Sequence, residues 1–156
     1  MTAVITATFN EKRMARIQKK LGPEIVMPPL TRLIKDIADL AQREAFTNAP
    51  RHTGGLAGAI GAVVSPLSAR ISVSHPAARV MEGGRKPLVA GGKMPPPDAF
   101  IGIAEPGTEF ALARSVAQRG IKGRFFFKKA KAKAVKELPN IARRAAAEIA
   151  AEWAAE

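Results

Sequence analysis

The stretch that decides the fold is residues 28–47, PPLTRLIKDIADLAQREAFT. Leu30, Leu33, Ile34, Ile37, Leu40 and Ala41 recur in it at helical spacing, which gives one apolar stripe on an otherwise polar helix. Proline suits a first helical turn, so Pro28-Pro29 is expected to open this helix, which then runs to about Thr47. A stripe of that width needs a second layer, and the runs around it are rich in strand-forming residues. Residues 2–9, TAVITATF, read as a short strand, and residues 60–65 and 69–74 read as two more around Pro66-Leu67-Ser68. In the last of these Ala69, Ile71 and Val73 alternate with Arg70, Ser72 and Ser74, the pattern of a half-buried strand. Residues 77–81 are expected to add a further strand before Gly83-Gly84.

Working outward, Asn10 is expected to cap a helix that Gly22-Pro23 ends at Leu21. It carries Lys12, Arg13, Arg16, Lys19 and Lys20 against the single Glu11. Residues 85–98 hold four Pro and two Gly, which predicts an extended, flexible loop with few internal contacts. Two shorter helices are expected at 97–104 and 108–119, the second capped by Thr108 and stopped by Gly120. From Phe125 to Trp153 the composition is helical, but Pro139 interrupts it at a cost of about 3 kcal/mol for a straight helix. A break is therefore expected there, with a terminal helix over 139–156 that buries Ile141, Ala145, Ile149 and Trp153 beside Arg144, Glu148 and Glu152. The whole reads as one α+β domain over 1–156: a small antiparallel sheet packed by a long helix and a C-terminal helix, with a long Pro/Gly-rich loop.

Composition narrows the function. The 156 residues contain 25 Lys+Arg against 13 Asp+Glu, a net charge of +12, with 47% hydrophobic residues and no cysteine. The length and apolar content suit a globular domain with its own core. Absence of cysteine removes disulfides, thiolate nucleophiles, iron–sulfur clusters and Cys-bound zinc. Two histidines are too few for a His-built metal site without carboxylates. No apolar run approaches the length of a membrane span, and residues 1–9 lack the basic start and long apolar run of a signal peptide. The charge points to anionic partners: nucleic acid, an acidic protein surface or a membrane face. Aromatic residues are scarce at 5%, which argues against stacking platforms for single strands.

Enzyme signatures are missing. His52 and His75 lie in turn contexts without a neighbouring carboxylate, and Ser65, Ser68, Ser72 and Ser74 show no nucleophile elbow. Gly91-Gly92-Lys93 lacks the spacing and the following Ser/Thr of a phosphate-binding loop. The acidic residues are spread singly, as on solvated faces. No catalytic residue, cofactor or metal is expected. The basic run is the stronger signal: Arg119, Lys122, Arg124, Lys128, Lys129, Lys131, Lys133 and Lys136 follow one another with no acid between them. At about 100° per residue Lys129, Lys133 and Lys136 share one helix face, and Phe127, Ala130, Ala134 and Leu138 share the other. This predicts a helix packed on one side and cationic on the other, facing either DNA phosphates or an acidic partner. Phe125-Phe126-Phe127 precedes it, and Phe126 and Phe127 are expected to face different sides. The triplet then supplies either a buried helix start or an anchor in a subunit interface.

Three pieces, in this order, resemble one family. Ala49-Pro50-Arg51-His52-Thr53-Gly54-Gly55-Leu56, followed by Ile60, is similar to the Ala-Pro-x-x-Thr-Gly-x-Leu-x-x-x-Ile signature of phage tail-completion or neck proteins, the gene-product-ten-like proteins of lambdoid long-tailed phages. Pro76-Ala77-Ala78-Arg79-Val80-Met81-Glu82-Gly83-Gly84 resembles that family's Tyr-Ala-x-x-x-Glu-x-Gly-Thr segment, with His75-Pro76 in place of the aromatic and Gly84 in place of Thr. Gly123-Arg124-Phe125-Phe126-Phe127-Lys128-Lys129-Ala130 resembles its closing Pro-x-Phe-x-x-x-Ala stretch, without the Pro. Pro50, Thr53, Gly54 and Gly55 are then expected to form a structural turn. The resemblance implies a structural virion protein of the head–tail joint, a neck, tail-completion or tail-terminator subunit with no catalysis and no cofactor. It also implies a homo-oligomeric ring, expected as a hexamer, between head connector or stopper proteins and the tail tube or terminator, built in the host cytoplasm. Glu82, Phe125, Phe126 and Phe127 would lie in the subunit interface. Arg119, Lys122, Arg124, Lys128, Lys129, Lys133 and Lys136 would line the channel of packaged double-stranded DNA or dock a partner. The other reading of the residues is a small basic nucleic-acid-binding protein.

Overall fold

The computed structural model describes residues 4–50, 55–88, 93–101 and 104–155. β1 (Val4–Thr8), β2 (Ile60–Ser65) and β3 (Ser68–Val73) form an antiparallel sheet in the order β1-β3-β2. Ser65 pairs with Ser68, so Pro66-Leu67 closes a two-residue hairpin, and on the other side Thr6 lies opposite Arg70. The alternation read from the sequence holds: Ala69, Ile71 and Val73 are buried, whereas Arg70 is exposed. Two helices cover the buried face, α2 (Pro23–Asn48) and α6 (Phe126–Ala154). They run antiparallel, since Arg32 of α2 reaches Glu148 and Glu152 of α6 at 3.1 and 3.9 Å, while Asp39 and Arg43 share a groove with Lys133 and Glu137. Leu33, Ile34, Ile37, Ile71, Val73, Phe126 and Phe127 form the main core. Burial of each such side chain contributes about 1.5–3 kcal/mol.

Local signals set α1 (Glu11–Leu21): the Asn10 side chain accepts from the Arg13 N–H at 3.1 Å, and Gly22 turns the chain out of the helix. Met14 then packs on Val26 and Leu30 of α2. That packing explains the first correction. The long helix starts at Pro23 rather than at Pro28-Pro29, which lie inside it. Pro28 and Pro29 remove only the bonds to the Glu24 and Ile25 carbonyls, close to a helix end, and burial of Ile25, Val26 and Pro29 offsets that loss.

A second correction concerns Pro139. The expected break and separate terminal helix do not occur, because α6 is continuous from Phe126 to Ala154. Pro139 sits on the exposed side, where the Val135 carbonyl it leaves unbonded meets water. Ala130 and Ala134 before it and Ile141 and Ala145 after it are buried, which holds both halves in line. The buried stripe is shorter than expected: Trp153 is 61% exposed and Leu138 41%.

Residues 77–81 form no strand. Ala77 caps a short helix, α4 (Ala78–Gly83), in which Ala78 and Met81, three apart, both bury. The helix expected at 97–104 is a single 3₁₀ turn, Pro97–Phe100, whose Phe100 fills a satellite core with Ala113 and Val116 of α5 (Glu109–Arg119). The loop expected to make few contacts is tied down at its first end. Arg85 and Ile121 exchange backbone hydrogen bonds of 2.8 and 2.7 Å, and the Leu88 N–H donates to Ala117 O. A four-residue helix, α3 (Gly55–Gly58), buries Leu56. Of the expected turn, Thr53 and Gly54 lie outside the described residues, Pro50 is half-buried and Gly55 opens α3.

Candidate functional site

The site is built where α4 meets the start of α6. Two backbones approach there closely enough to require glycine. A Cβ on Gly123 would stand 2.7–2.8 Å from backbone atoms of Glu82, Gly83 and Gly84, and one on Gly84, at φ +74, would meet the Gly123 nitrogen at 2.5 Å. The approach lets the Arg124 N–H donate to Met81 O (2.8 Å) and the Phe125 N–H to Glu82 O (3.0 Å). The second and third family-like segments are thus one interlocked unit.

Glu82 completes it. Its two carboxylate oxygens accept from the N–H groups of Phe127 (2.9 Å) and Lys128 (3.0 Å), the first turn of α6. A helix start has free N–H donors and the positive end of the helix dipole, so a carboxylate from another element does the work of an N-cap. Within the single chain, then, both oxygens of Glu82 are engaged in holding the start of α6. Loss of a cap costs about 0.5–2 kcal/mol. Glu82→Ala is accordingly expected to lower the melting temperature by roughly 1–8 °C for a chain of this size, with Glu82→Gln in between because it retains one acceptor. Equal melting of all three in a thermal scan would remove the cap from the account.

The phenylalanines divide differently from expectation. Phe126 and Phe127 are both buried, at 0% and 4% exposure, with ring centroids 5.0 Å apart. They are core residues of the single chain and take no part in an exposed interface. Both fit because the helix begins there, so no preceding turn crowds Phe126. Phe125 precedes the helix in the left-handed region at φ 52, is 43% exposed, and lies under the Lys128 ammonium, 5.7 Å from its ring centroid. A left-handed non-glycine residue costs about 1–2 kcal/mol, which the surrounding bonds sustain.

Around this unit the cations gather. Lys122, Arg124 and Lys129 line an open cleft of about 640 Å³ with Phe125, above a floor of Pro50, Met81 and Ile121. Arg119 and Lys128 are exposed beside it in the chain. The Arg85–Ile121 pairing adds what the sequence run does not contain: Gly120 abuts Arg85 and Pro87, so Arg85 and Lys86 join the same end of the molecule. Among the described residues, Lys86, Arg119, Lys122, Arg124, Lys129 and Lys136 have no acidic partner within salt-bridge distance. Lys133 stands apart. It is 3.9 Å from Glu137 and lies in the α2–α6 groove with Asp36 and Asp39. The uncompensated surface therefore joins the start of α6 to the 85–86 and 119–124 segments, and Lys133 interrupts it before Lys136.

Among the described residues no group of three His, Asp or Glu is placed to hold a metal ion, and no helix is long and apolar enough to cross a membrane. The arrangement suits attraction of a polyanion: fixed backbone, exposed cations and no acid to answer them. No family model, curated protein or solved structure matches the chain.

Proposed function

We propose that the chain is a structural subunit of the head–tail joint of a long-tailed phage, a non-catalytic ring component whose basic end lies against the phosphates of DNA in the channel. The observation that supports this reading best is the cluster of Lys86, Arg119, Lys122, Arg124 and Lys129 on one end, unpaired among the described residues and fixed by the Glu82–Gly123 interlock. Cations of this kind attract the phosphate backbone without reading bases, as contact with DNA in transit requires. The resemblance of residues 49–60, 76–84 and 123–130 to neck proteins supplies the context.

Duplex binding by the purified chain tests the surface. Its logarithmic affinity is expected to fall against logarithmic salt with a slope of about −4.5, the value for five neutralised phosphates, and to ignore sequence. Joining of separated heads and tails on addition of the chain tests the setting. A chain that binds one sequence selectively and restores no joining is a free nucleic-acid-binding protein instead.

A further inference from the structure

We infer that free chains pair about a two-fold axis, β1 against β1 and α6 against α6. The first observation is an open strand edge. The Phe9 N–H donates to Leu67 O, which sets Phe9, Ala7 and Ile5 as the residues bonded toward β3. The N–H and C=O of Val4, Thr6 and Thr8 therefore point away from β3, and among the described residues nothing bonds them. Strand edges are ordinarily blunted by Lys, Pro or a bulge, and Val4–Thr8 has none of these and no charge at all. The opposite edge is partly covered, because the Gln42 amide donates to Ile60 O at 3.2 Å.

The second observation lies beside the first. Val135, Leu138, Ala142, Ile149 and Trp153 fall within about 60° of one another around α6. Val135, Leu138 and Trp153 are 59%, 41% and 61% exposed. α2 occupies the opposite flank of α6, along Lys133, Glu137, Arg144 and Glu148, and lies over β2 and β3, whereas α6 lies against β1. The apolar stripe thus runs along the β1 side of α6, where one partner covers both.

Charge selects a second copy as that partner. The first half of α6 carries Lys128, Lys129, Lys131, Lys133 and Lys136, whereas beyond Arg144 its only charges are those of Glu148 and Glu152. A two-fold axis normal to the sheet pairs β1 antiparallel with its copy and reverses α6. Lys128 and Lys131 of each chain then approach the negative helix end of the other. A parallel pairing would set lysines against lysines. This inference concerns the chain outside a particle and does not depend on the joint reading.

Sedimentation velocity of the full chain tests it, at about 100 μM, which reveals dissociation constants up to that order. The expected mass is twice the 16.5 kDa of the chain, with a blue shift of the emission of Trp153, the single tryptophan, as concentration rises. Thr6→Pro removes one outward N–H, and Leu138→Glu places a charge in the stripe. Each is expected to raise the dissociation constant at least tenfold, roughly the effect of a lost hydrogen bond or apolar anchor, while the dilute monomer melts unchanged. Lys131→Glu is expected to weaken pairing, because it sets a carboxylate against the negative helix end of the other chain. A monomer throughout, a ring of more than two chains, or pairing equally tight in both variants overturns the inference. None of these results bears on whether the chain joins heads to tails.

Discussion

Gly123→Ala is expected to lower the melting temperature by roughly 6–12 °C, the effect of about 3 kcal/mol on a domain of this size. The added methyl group would stand 2.7 Å from Glu82 O and from the Gly83 carbonyl carbon, and 2.8 Å from the Gly84 nitrogen. All three are backbone atoms, so no side chain can swing aside and the 82–84 segment must move. That movement lengthens the bonds from Arg124 N–H to Met81 O and from Phe125 N–H to Glu82 O, and withdraws the Glu82 carboxylate from α6. The steric cost and the lost cap belong to one unit, so Glu82→Ala added to Gly123→Ala is expected to cost less than the sum. Gly61→Ala is the control, since its Cβ would meet nothing within 4 Å. Thermal unfolding followed by circular dichroism checks all five chains, the unsubstituted one, the two single variants, the double variant and the control. Melting of Gly123→Ala with the unsubstituted chain would mean that the two segments do not interlock.

The same unit shows how far the sequence could be read. Elements governed by neighbours in the chain were legible: α1 from Asn10 and Gly22, α2 from its apolar stripe, the hairpin from alternation around Pro66-Leu67. Both errors of helix extent, at Pro28-Pro29 and Pro139, came from treating a local penalty as decisive. Burial of Ile25 and Val26 in one case, and of Ala134 and Ile141 in the other, outweighs a missing N–H. The site was legible as a charge run and no further. Glu82 caps a helix 45 residues away, and its partners cannot be found by spacing. The glycines at 83, 84 and 123 were the available signal, since glycine at a helix end and before a helix start permits close backbone approach. Likewise the absence of acid within residues 119–136 concealed Asp36 and Asp39, which the antiparallel packing of α2 and α6 brings to Lys133.

That last point decides which residues test the proposed surface. Reversal of Lys122, Arg124 and Lys129 to Glu is expected to abolish duplex binding at physiological salt and leave the fold intact. The three line one cleft, are exposed, and have no acidic partner within salt-bridge distance among the described residues. Lys133 is excluded because a carboxylate there would face Asp36, Asp39 and Glu137 and cost stability for reasons unrelated to DNA. Each reversal removes two charges, so the net charge falls from +12 to +6, and the salt slope of any residual binding is expected to shrink by about 3. The fold should tolerate the change, since a carboxylate at position 129 near the positive end of α6 is favourable. Two accounts of the surface then separate in assembly. If it faces DNA in the channel, rings form and heads join tails, but DNA is lost or fails to pass. If it docks an acidic neighbour, the joint itself does not form and filled heads and finished tails accumulate apart. Fully infectious particles at normal yield from the triple variant would show that these cations only solvate the molecule, and both accounts would fall.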